Sequence, residues 1–105
     1  MTDAEDKIVA LLAAQWVKIR PLLEERVATL DKAARAASAG TLVDELRKEA
    51  GSCAHKLAGS LGMYGYDEGT RVARDLEVLL GMAAPDVAKL NGLVAELRAT
   101  VFPAA

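Results

Sequence analysis

The only histidine of the chain, His55, lies in the run Ala54-His55-Lys56-Leu57-Ala58-Gly59-Ser60. Apolar residues around it recur at steps of three and four and form one helical stripe: Leu46, Ala50, Cys53, Leu57 and Leu61. At about 100° per residue, His55 lies roughly 150° from the centre of this stripe, so we expect its imidazole to face solvent. A free histidine titrates near pH ~6.5, and its neutral ring offers a nitrogen lone pair as a nucleophile. Such an imidazole suits reversible group transfer with a visiting partner.

Small and basic residues surround His55, three or four residues away or one turn further: Lys48, Gly51, Ser52, Ala58, Gly59 and Gly62. A glycine inside a helix costs about 1 kcal/mol relative to alanine. Three glycines on one helix are therefore expensive unless their lack of side chains is useful. We interpret them as clearance for another protein that approaches the imidazole, and an ordinary surface histidine is the alternative.

Composition limits the class of protein. A chain of 105 residues predicts one domain over 1–105. A net charge of -2 and an isoelectric point near 5.4 give no sign of a nucleic-acid partner. Cys53 is the single cysteine, so an internal disulfide is excluded and a reducing, cytoplasmic location is favoured. Because it lies on the apolar stripe, we interpret it as a small core residue. One histidine and one core cysteine cannot make a closed zinc site. No segment of the sequence resembles a membrane span or a signal peptide.

Helical periodicity without strand-like alternation predicts an all-α chain. Thr2 and Glu5 form a capping box before a long helix. Its stripe keeps phase past Pro21: Ile8, Leu12, Trp16, Ile19, Leu23, Val27, Leu30, Ala34 and Ala37. We expect one long helix kinked at Pro21 and ended by Gly40, with an extra short N-terminal helix closing near Arg20 as the alternative.

Three further helices follow. Thr41 and Asp44 predict a capping box for the histidine helix, which runs to about Gly62, and residues 63–67 form a turn. The third helix ends at Gly81 and has the apolar face Val72, Ala73, Leu76, Leu79 and Leu80. The fourth opens with Pro85 at its first position, is stopped by Pro103 and has the stripe Val87, Leu90, Val94, Leu97 and Val101. We expect an antiparallel four-helix bundle.

The histidine run and a later segment resemble the signature of histidine-containing phosphotransfer (HPt) domains. That signature reads His-x-Leu-Lys-Gly-Ser, a later glycine and an Ala-x-x-Leu-Glu run. The chain follows it with residues 55–60 except at Ala58, with Gly65, and with Ala73, Leu76 and Glu77. The resemblance covers Gly40 to Gly81 by motif and the whole chain by helix layout.

The resemblance implies a phosphorelay carrier of two-component signalling. His55 would accept and donate the phosphoryl group, through the ring nitrogen farther from the backbone. The partners would be response-regulator receiver domains, a hybrid sensor kinase or both, with Mg²⁺ held only by the receiver and no cofactor held here. Because no Walker-type lysine motif or Gly-rich loop after a strand is present, we expect no nucleotide site and no autokinase activity, hence a phosphocarrier and not an enzyme.

We expect partner docking and phosphate proximity at a set of residues around His55: Lys48, Ser52, Lys56, Ala58, Gly59, Ser60 and Gly62. Lys48 and Lys56 could offset phosphate charge or be solvated lysines. Arg71 and Arg74 on the next helix could reach the same surface or be solvated.

Two positions depart from the family pattern. Ala58 replaces the lysine, and Gly69 replaces the usual large apolar residue before the Ala-x-x-Leu-Glu run. The loss at Ala58 keeps a non-catalytic receiver- or kinase-binding module open as the alternative. The phosphoacceptor helix pair of a sensor kinase is disfavoured, because Lys56 stands where that class has an acid and no proline is near. We expect a monomer, and Met1 directly before a capping box favours a freestanding protein.

Overall fold

The computed structural model describes residues 2–102, and within them it contains four α-helices and no strand. In chain order these are α1 (Asp3–Ser38), α2 (Asp44–Met63), α3 (Asp67–Leu80) and α4 (Val87–Val101). Each helix packs on two others, α1 on α2, α2 on α3, α3 on α4 and α4 back on α1. Short connections make successive helices antiparallel. The predicted all-α four-helix bundle is confirmed.

Aliphatic side chains from all four helices form the core, and no polar side chain of the described residues is buried among them. The predicted stripe of α3 is buried in full. The stripe of α4 is buried except for Val87, which is 40% exposed because it stands in the first turn, at the edge of the bundle. The loss of water from these apolar side chains is the main force that holds the helices together.

One continuous helix, α1, runs through Pro21. The Thr2 hydroxyl accepts a hydrogen bond from the Glu5 amide at 3.2 Å, as the predicted capping box requires. Pro21 is exposed and does not end the helix, so the alternative of a separate short first helix is wrong. The chain leaves α1 at Ser38 and turns through Gly40, whose φ of +72° is a backbone conformation that favours glycine.

The first turns of α1 extend beyond the other helices. α1 has 36 residues, whereas α2, the longest of the others, has 20. Ile8 and Leu12, which the periodicity assigned to the core stripe, are 57% and 41% exposed because no helix reaches them. The core prediction is wrong at these two positions. Trp16 is the first residue of the α1 stripe to pack at the core edge, and we call residues 3–15 the α1 overhang.

The start of α2 differs from the predicted capping box. Val43 is the N-cap residue, and no side chain caps the helix. The Thr41 hydroxyl instead donates to the Ala36 carbonyl at 3.3 Å, at the end of α1. Thr41 therefore closes the first helix and does not open the second, while Asp44 and Glu45 supply negative charge to the first turn of α2.

The remaining turns position the ends of α3 and α4. The α2–α3 turn passes through Gly65 at a φ of +79°, as the glycine in that turn indicates. Asp86 is the N-cap of α4, where its carboxylate accepts from the Lys89 amide at 2.9 Å. Pro85 thus precedes the cap and is not the first helical residue, contrary to expectation. α4 ends at Val101, and Pro103, the predicted stop, lies outside the described residues.

Candidate functional site

α2 directs His55 away from the core. Ala54, Leu57 and Ala58 are at most 7% exposed, whereas the His55 side chain is 74% exposed. Leu57 lies two positions from His55, about 200° around the helix, and Ala54 lies one position away, about 100° around it, so burial of these two residues turns the imidazole outward. The predicted accessible histidine is confirmed.

The buried face of α2 is rotated relative to the predicted stripe. Cys53 was assigned to the core but is only partly buried. Ala54 and Ala58 occupy the core instead, because α3 packs closely against their side of α2. This close approach brings a side chain of α3 next to the histidine.

Glu77 of α3 contacts the imidazole directly. Its Oε2 lies 2.6 Å from Nδ1 of His55, across the boundary between α2 and α3. An ionised carboxylate can only accept, so Nδ1 carries the hydrogen and donates it to Glu77. In the neutral ring, Nε2 is then the nitrogen with the free lone pair. The pair therefore fixes both the tautomer and the orientation of the ring.

A surface groove of about 550 Å³ runs beside this pair, between α2 and the end of α3. Lys48 and Ser52, both predicted near the phosphate, line it together with His55 and Glu77. Lys48 therefore lies on the same side of the imidazole as Glu77. The groove is open to solvent.

Arg47, whose side chain is largely buried, also lines this groove. Its guanidinium donates to the Leu80 carbonyl at 2.8 Å and lies 3.5 Å from a carboxylate oxygen of Asp44. Nε of Arg47 is buried and has no hydrogen-bond partner among the described residues. Arg47 ties α2 to the end of α3 and adds fixed positive charge at the groove.

The opposite side of α2 faces a second groove, of about 420 Å³, between α1 and α2. Lys56, Gly59 and Ser60 line it, together with the apolar side chains of Ile19 and Met63. Gly62 instead lies beside a third depression, of about 480 Å³, between α2 and α3. The predicted docking residues therefore do not share one pocket, and they flank the histidine on both sides.

Gly59 has no packing role within the described chain. A Cβ atom built at Gly59 would meet nothing within 4 Å, whereas one built at Gly62 would lie 3.5 Å from the Thr70 hydroxyl. An exposed helical glycine without close neighbours weakens the helix and improves no internal contact. Gly59 therefore keeps this surface flat one turn after His55.

Ala58 is buried, and this corrects its assignment to the docking surface. It is 7% exposed, and its carbonyl accepts a hydrogen bond from the Thr70 hydroxyl at 3.2 Å.

Arg74 lies between Thr70 and Glu77 on the same side of α3, so it is next to the turn of α2 that contains Ala58. Its side chain forms no ion pair with a described residue.

Arg71, by contrast, is occupied by neighbouring acids. Its guanidinium pairs with Glu68, with Asp75 at 3.0 Å and, across to α4, with Glu96 at 2.9 Å. The hydrogen bond from Arg71 lowers the pKa of Glu68 below its ordinary value, and the same contact raises the pKa of Arg71. Arg71 thus joins α3 to α4, and both Arg71 and Arg74 line the depression beside Gly62, not the groove beside His55.

Aromatic side chains close one end of the bundle. The Trp16 ring stacks on Tyr66 with centroids 5.0 Å apart and meets Tyr64 edge to face at 5.3 Å.

Gly69, the second departure from the family pattern, is buried, and a Cβ there would lie 3.1 Å from side-chain atoms of both Leu61 and Val101. The small residue at this position lets α3 approach its neighbours closely.

Two other classes of site receive no support from the described residues. Nowhere in residues 2–102 do three histidine, cysteine or acidic side chains gather to hold a metal ion. None of the four described helices combines the length and apolar character needed to cross a membrane.

Glu77 is the residue of this candidate site that helical periodicity does not reveal. Glu49, an acid on α2 itself, is exposed. Glu77 closes the Ala-x-x-Leu-Glu run, so the motif itself was the available signal. Its contact with a residue 22 positions away depends on how α3 packs against α2.

Comparison with known proteins agrees with this geometry. The family model described as "Hpt domain" matches residues 19–101. The chain is 30% identical over 80 residues to Protein RcaC of Microchaete diplosiphon. That match covers 76% of this chain but only 12% of the relative, so the chain corresponds to a small part of RcaC. No solved structure matches the chain significantly.

Proposed function

The chain belongs to the Hpt domain family of phosphorelay modules, and we propose that it carries a phosphoryl group on Nε2 of His55. The group would pass between His55 and aspartates of receiver domains. The hydrogen bond of 2.6 Å from Nδ1 of His55 to Glu77 is the observation that carries this proposal. It leaves the exposed Nε2 as the nucleophile.

The transfer step needs no base from this chain. The Nε2 lone pair attacks the phosphorus of an aspartyl phosphate, an N–P bond forms, and the P–O bond to the aspartate breaks. The aspartate carboxylate leaves with the electron pair. The imidazole keeps its Nδ1 hydrogen and becomes positively charged, and Glu77 offsets that charge. The reverse step returns the phosphoryl group to a second receiver.

Positive charge near the site lowers the repulsion between the incoming phosphoryl group and Glu77. A phosphoryl group carries about two negative charges near neutral pH. Lys48 in the groove beside His55 and Lys56 on its other side offset part of this charge. We propose that Arg74, which lies across from Ala58, supplies the charge that the missing lysine leaves out. Phosphoryl transfer depends mainly on such positioning and charge stabilisation.

The receiver docks over the exposed face of α2. Gly59 and Gly62 give clearance, and Ser52 and Ser60 offer hydroxyls at the margins of the two grooves. The apolar side chains of Met63 and Ile19 add a dry contact on the α1 side. Mg²⁺ would belong to the receiver, and this chain would hold no nucleotide and would not phosphorylate itself. We propose a cytoplasmic location, where receiver partners and a reduced Cys53 would occur together.

Transfer from labelled receiver domains tests the proposal, with His55→Gln as the variant. We expect acid-labile, alkali-stable label on the wild type and none on His55→Gln. The alternative, a binding module without transfer, is motivated by the alanine at position 58. It would be supported if several receivers bind the Gly59 surface but none labels the protein.

A further inference from the structure

The α1 overhang carries an apolar surface that nothing in the described chain covers. Ile8, Val9, Leu11 and Leu12 are 57%, 53%, 64% and 41% exposed. No charged residue occurs from 8 to 17, which is about 15 Å of uncharged helix. Contiguous apolar patches of this kind mark interaction sites. The overhang also lies outside residues 19–101, which match the family, so the bundle itself does not account for it.

Two rows of residues on the overhang have different surroundings. Leu12 faces the bundle and shares a small groove of about 190 Å³ with Trp16 and the two tyrosines. A second row, centred about 80° around the helix from Leu12, follows steps of four and three residues and continues one turn past the overhang: Ala4, Ile8, Leu11, Gln15 and Lys18, of which the first three are apolar. This spacing is typical of the seam along which two helices pair, and all five residues are exposed.

The charges at the ends of the uncharged run indicate the direction of pairing. Three acids, Asp3, Glu5 and Asp6, and one base, Lys7, precede it, so this end carries net negative charge; Lys18 and Arg20 follow it, and Arg20 also pairs with Glu24 at 2.9 Å. None of the three acids forms an ion pair with a described residue, and neither does Lys18. Two antiparallel copies would place acids against bases at both ends. Two parallel copies would place acids against acids.

We propose that the α1 overhang pairs antiparallel with the overhang of a second copy of this chain and forms a homodimer. A twofold axis near Leu11 would make the contact self-complementary and place Ala4 of one copy against Lys18 of the other. His55 lies eight residues before the end of α2, about 12 Å from the turn beside the overhang. Both histidines stay accessible. This proposal replaces the monomer expected from the sequence and does not depend on phosphotransfer.

Sedimentation equilibrium of the whole chain, from micromolar concentration up to about 1 mM, measures the association. We expect a monomer–dimer equilibrium whose dissociation constant rises at least tenfold in Leu11→Glu, because a charge would enter the seam. Val78→Glu is the matched control, since Val78 is 66% exposed on α3, away from the overhang. It should leave the dissociation constant unchanged.

Crosslinking of engineered cysteines in a Cys53→Ser background gives the orientation. An antiparallel pair predicts a crosslink when Ala4→Cys and Lys18→Cys chains are mixed, and none when either chain is alone. Leu11→Cys should crosslink to itself. Self-crosslinking of Ala4→Cys would contradict the antiparallel arrangement.

Three outcomes would overturn the proposal. The first is a wild-type protein that remains monomeric over the whole concentration range. The second is a dimer weakened equally by Leu11→Glu and Val78→Glu. The third is a monomer that binds vesicles of zwitterionic lipid and is released by Leu11→Glu, because a lipid surface would then be the occupant of the overhang.

Discussion

Glu77 accepts a hydrogen bond from Nδ1 of His55 at 2.6 Å, although the two residues are 22 positions apart. The bond joins α3 to α2 at the side chain that we propose carries the phosphoryl group. The imidazole side chain stays 74% exposed, so the contact orients the ring without hiding Nε2 from a partner. Orientation of a histidine by a carboxylate, with the free nitrogen left to react, is a general way to prepare an imidazole for chemistry.

Replacement of the carboxylate should slow transfer and leave docking intact. We expect Glu77→Gln to lower the single-turnover rate at saturating receiver by about tenfold or more, because the ring loses its fixed tautomer and the charge that stabilises the phosphoimidazolium. Receiver affinity should stay unchanged. Glu49→Gln, on the same surface but away from the imidazole, is the control and should transfer at the wild-type rate. Equal rates in the two variants would show that Glu77 has no positioning role.

Gly59 should lower the stability of the fold and leave room for a receiver to approach His55. Gly59→Ala should raise the free energy of unfolding by about 0.5–1 kcal/mol, since no atom obstructs the new Cβ. Gly92→Ala in α4 should do the same, because that glycine also has open space around it. Urea unfolding measures both.

Substitution by methionine, which is larger than alanine, should distinguish the role of Gly59 from that of Gly92. Gly59→Met should reduce transfer from receivers by blocking their approach, whereas Gly92→Met should leave transfer unchanged. Wild-type transfer by Gly59→Met would contradict the docking surface proposed here.

Arg74 should contribute charge to the transfer step. We expect Arg74→Gln to lower the transfer rate between about twofold and fivefold, the range that an exposed charge interaction supports. The difference should shrink as salt is added, because salt screens exposed charges. Lys32→Gln, an exposed cation of α1, serves as the control. A rate for Arg74→Gln that equals that control at low salt would remove Arg74 from the site.

The ion pair between Arg71 and Glu68, away from the histidine, should make the stability of the fold depend on pH. The hydrogen bond from Arg71 holds the pKa of Glu68 below its ordinary 4.5. A lowered pKa in the folded state means that this pair stabilises the fold fully above about pH 4.5, and the contribution is lost as pH falls through the folded value.

In Arg71→Gln the pKa of Glu68 should rise toward its ordinary value, which a carboxyl carbon NMR titration would detect. Lys89→Gln should leave the titration of Glu68 unmoved. An unchanged titration in Arg71→Gln would mean that another group lowers this pKa.

Most of the fold could be predicted because helical periodicity reports directly on burial. The stripe of α3, from Val72 to Leu80, is buried as predicted, and the outward position of His55 follows from the same spacing. Periodicity does not report how far a neighbouring helix extends. Ile8 and Leu12 therefore keep the helical phase of the core but lie beyond the reach of the other helices.

Local patterns also left some positions undecided. Thr41 has the spacing of a capping residue for α2, yet its hydroxyl bonds back to α1, and both uses satisfy a helix end. Glu77 and Ala58 depend on the register between α2 and α3, which no single-helix pattern contains. The motif marked Glu77 as a position of interest, and only the packed pair of helices shows what its carboxylate contacts.

NMR of the phosphorylated protein, labelled with ¹⁵N in the histidine ring, tests the central claim most directly. The hydrogen bond to Glu77 predicts that ³¹P couples to Nε2 of His55 and that Nδ1 retains its hydrogen. Phosphorus on Nδ1, or on a residue other than His55, would contradict the account.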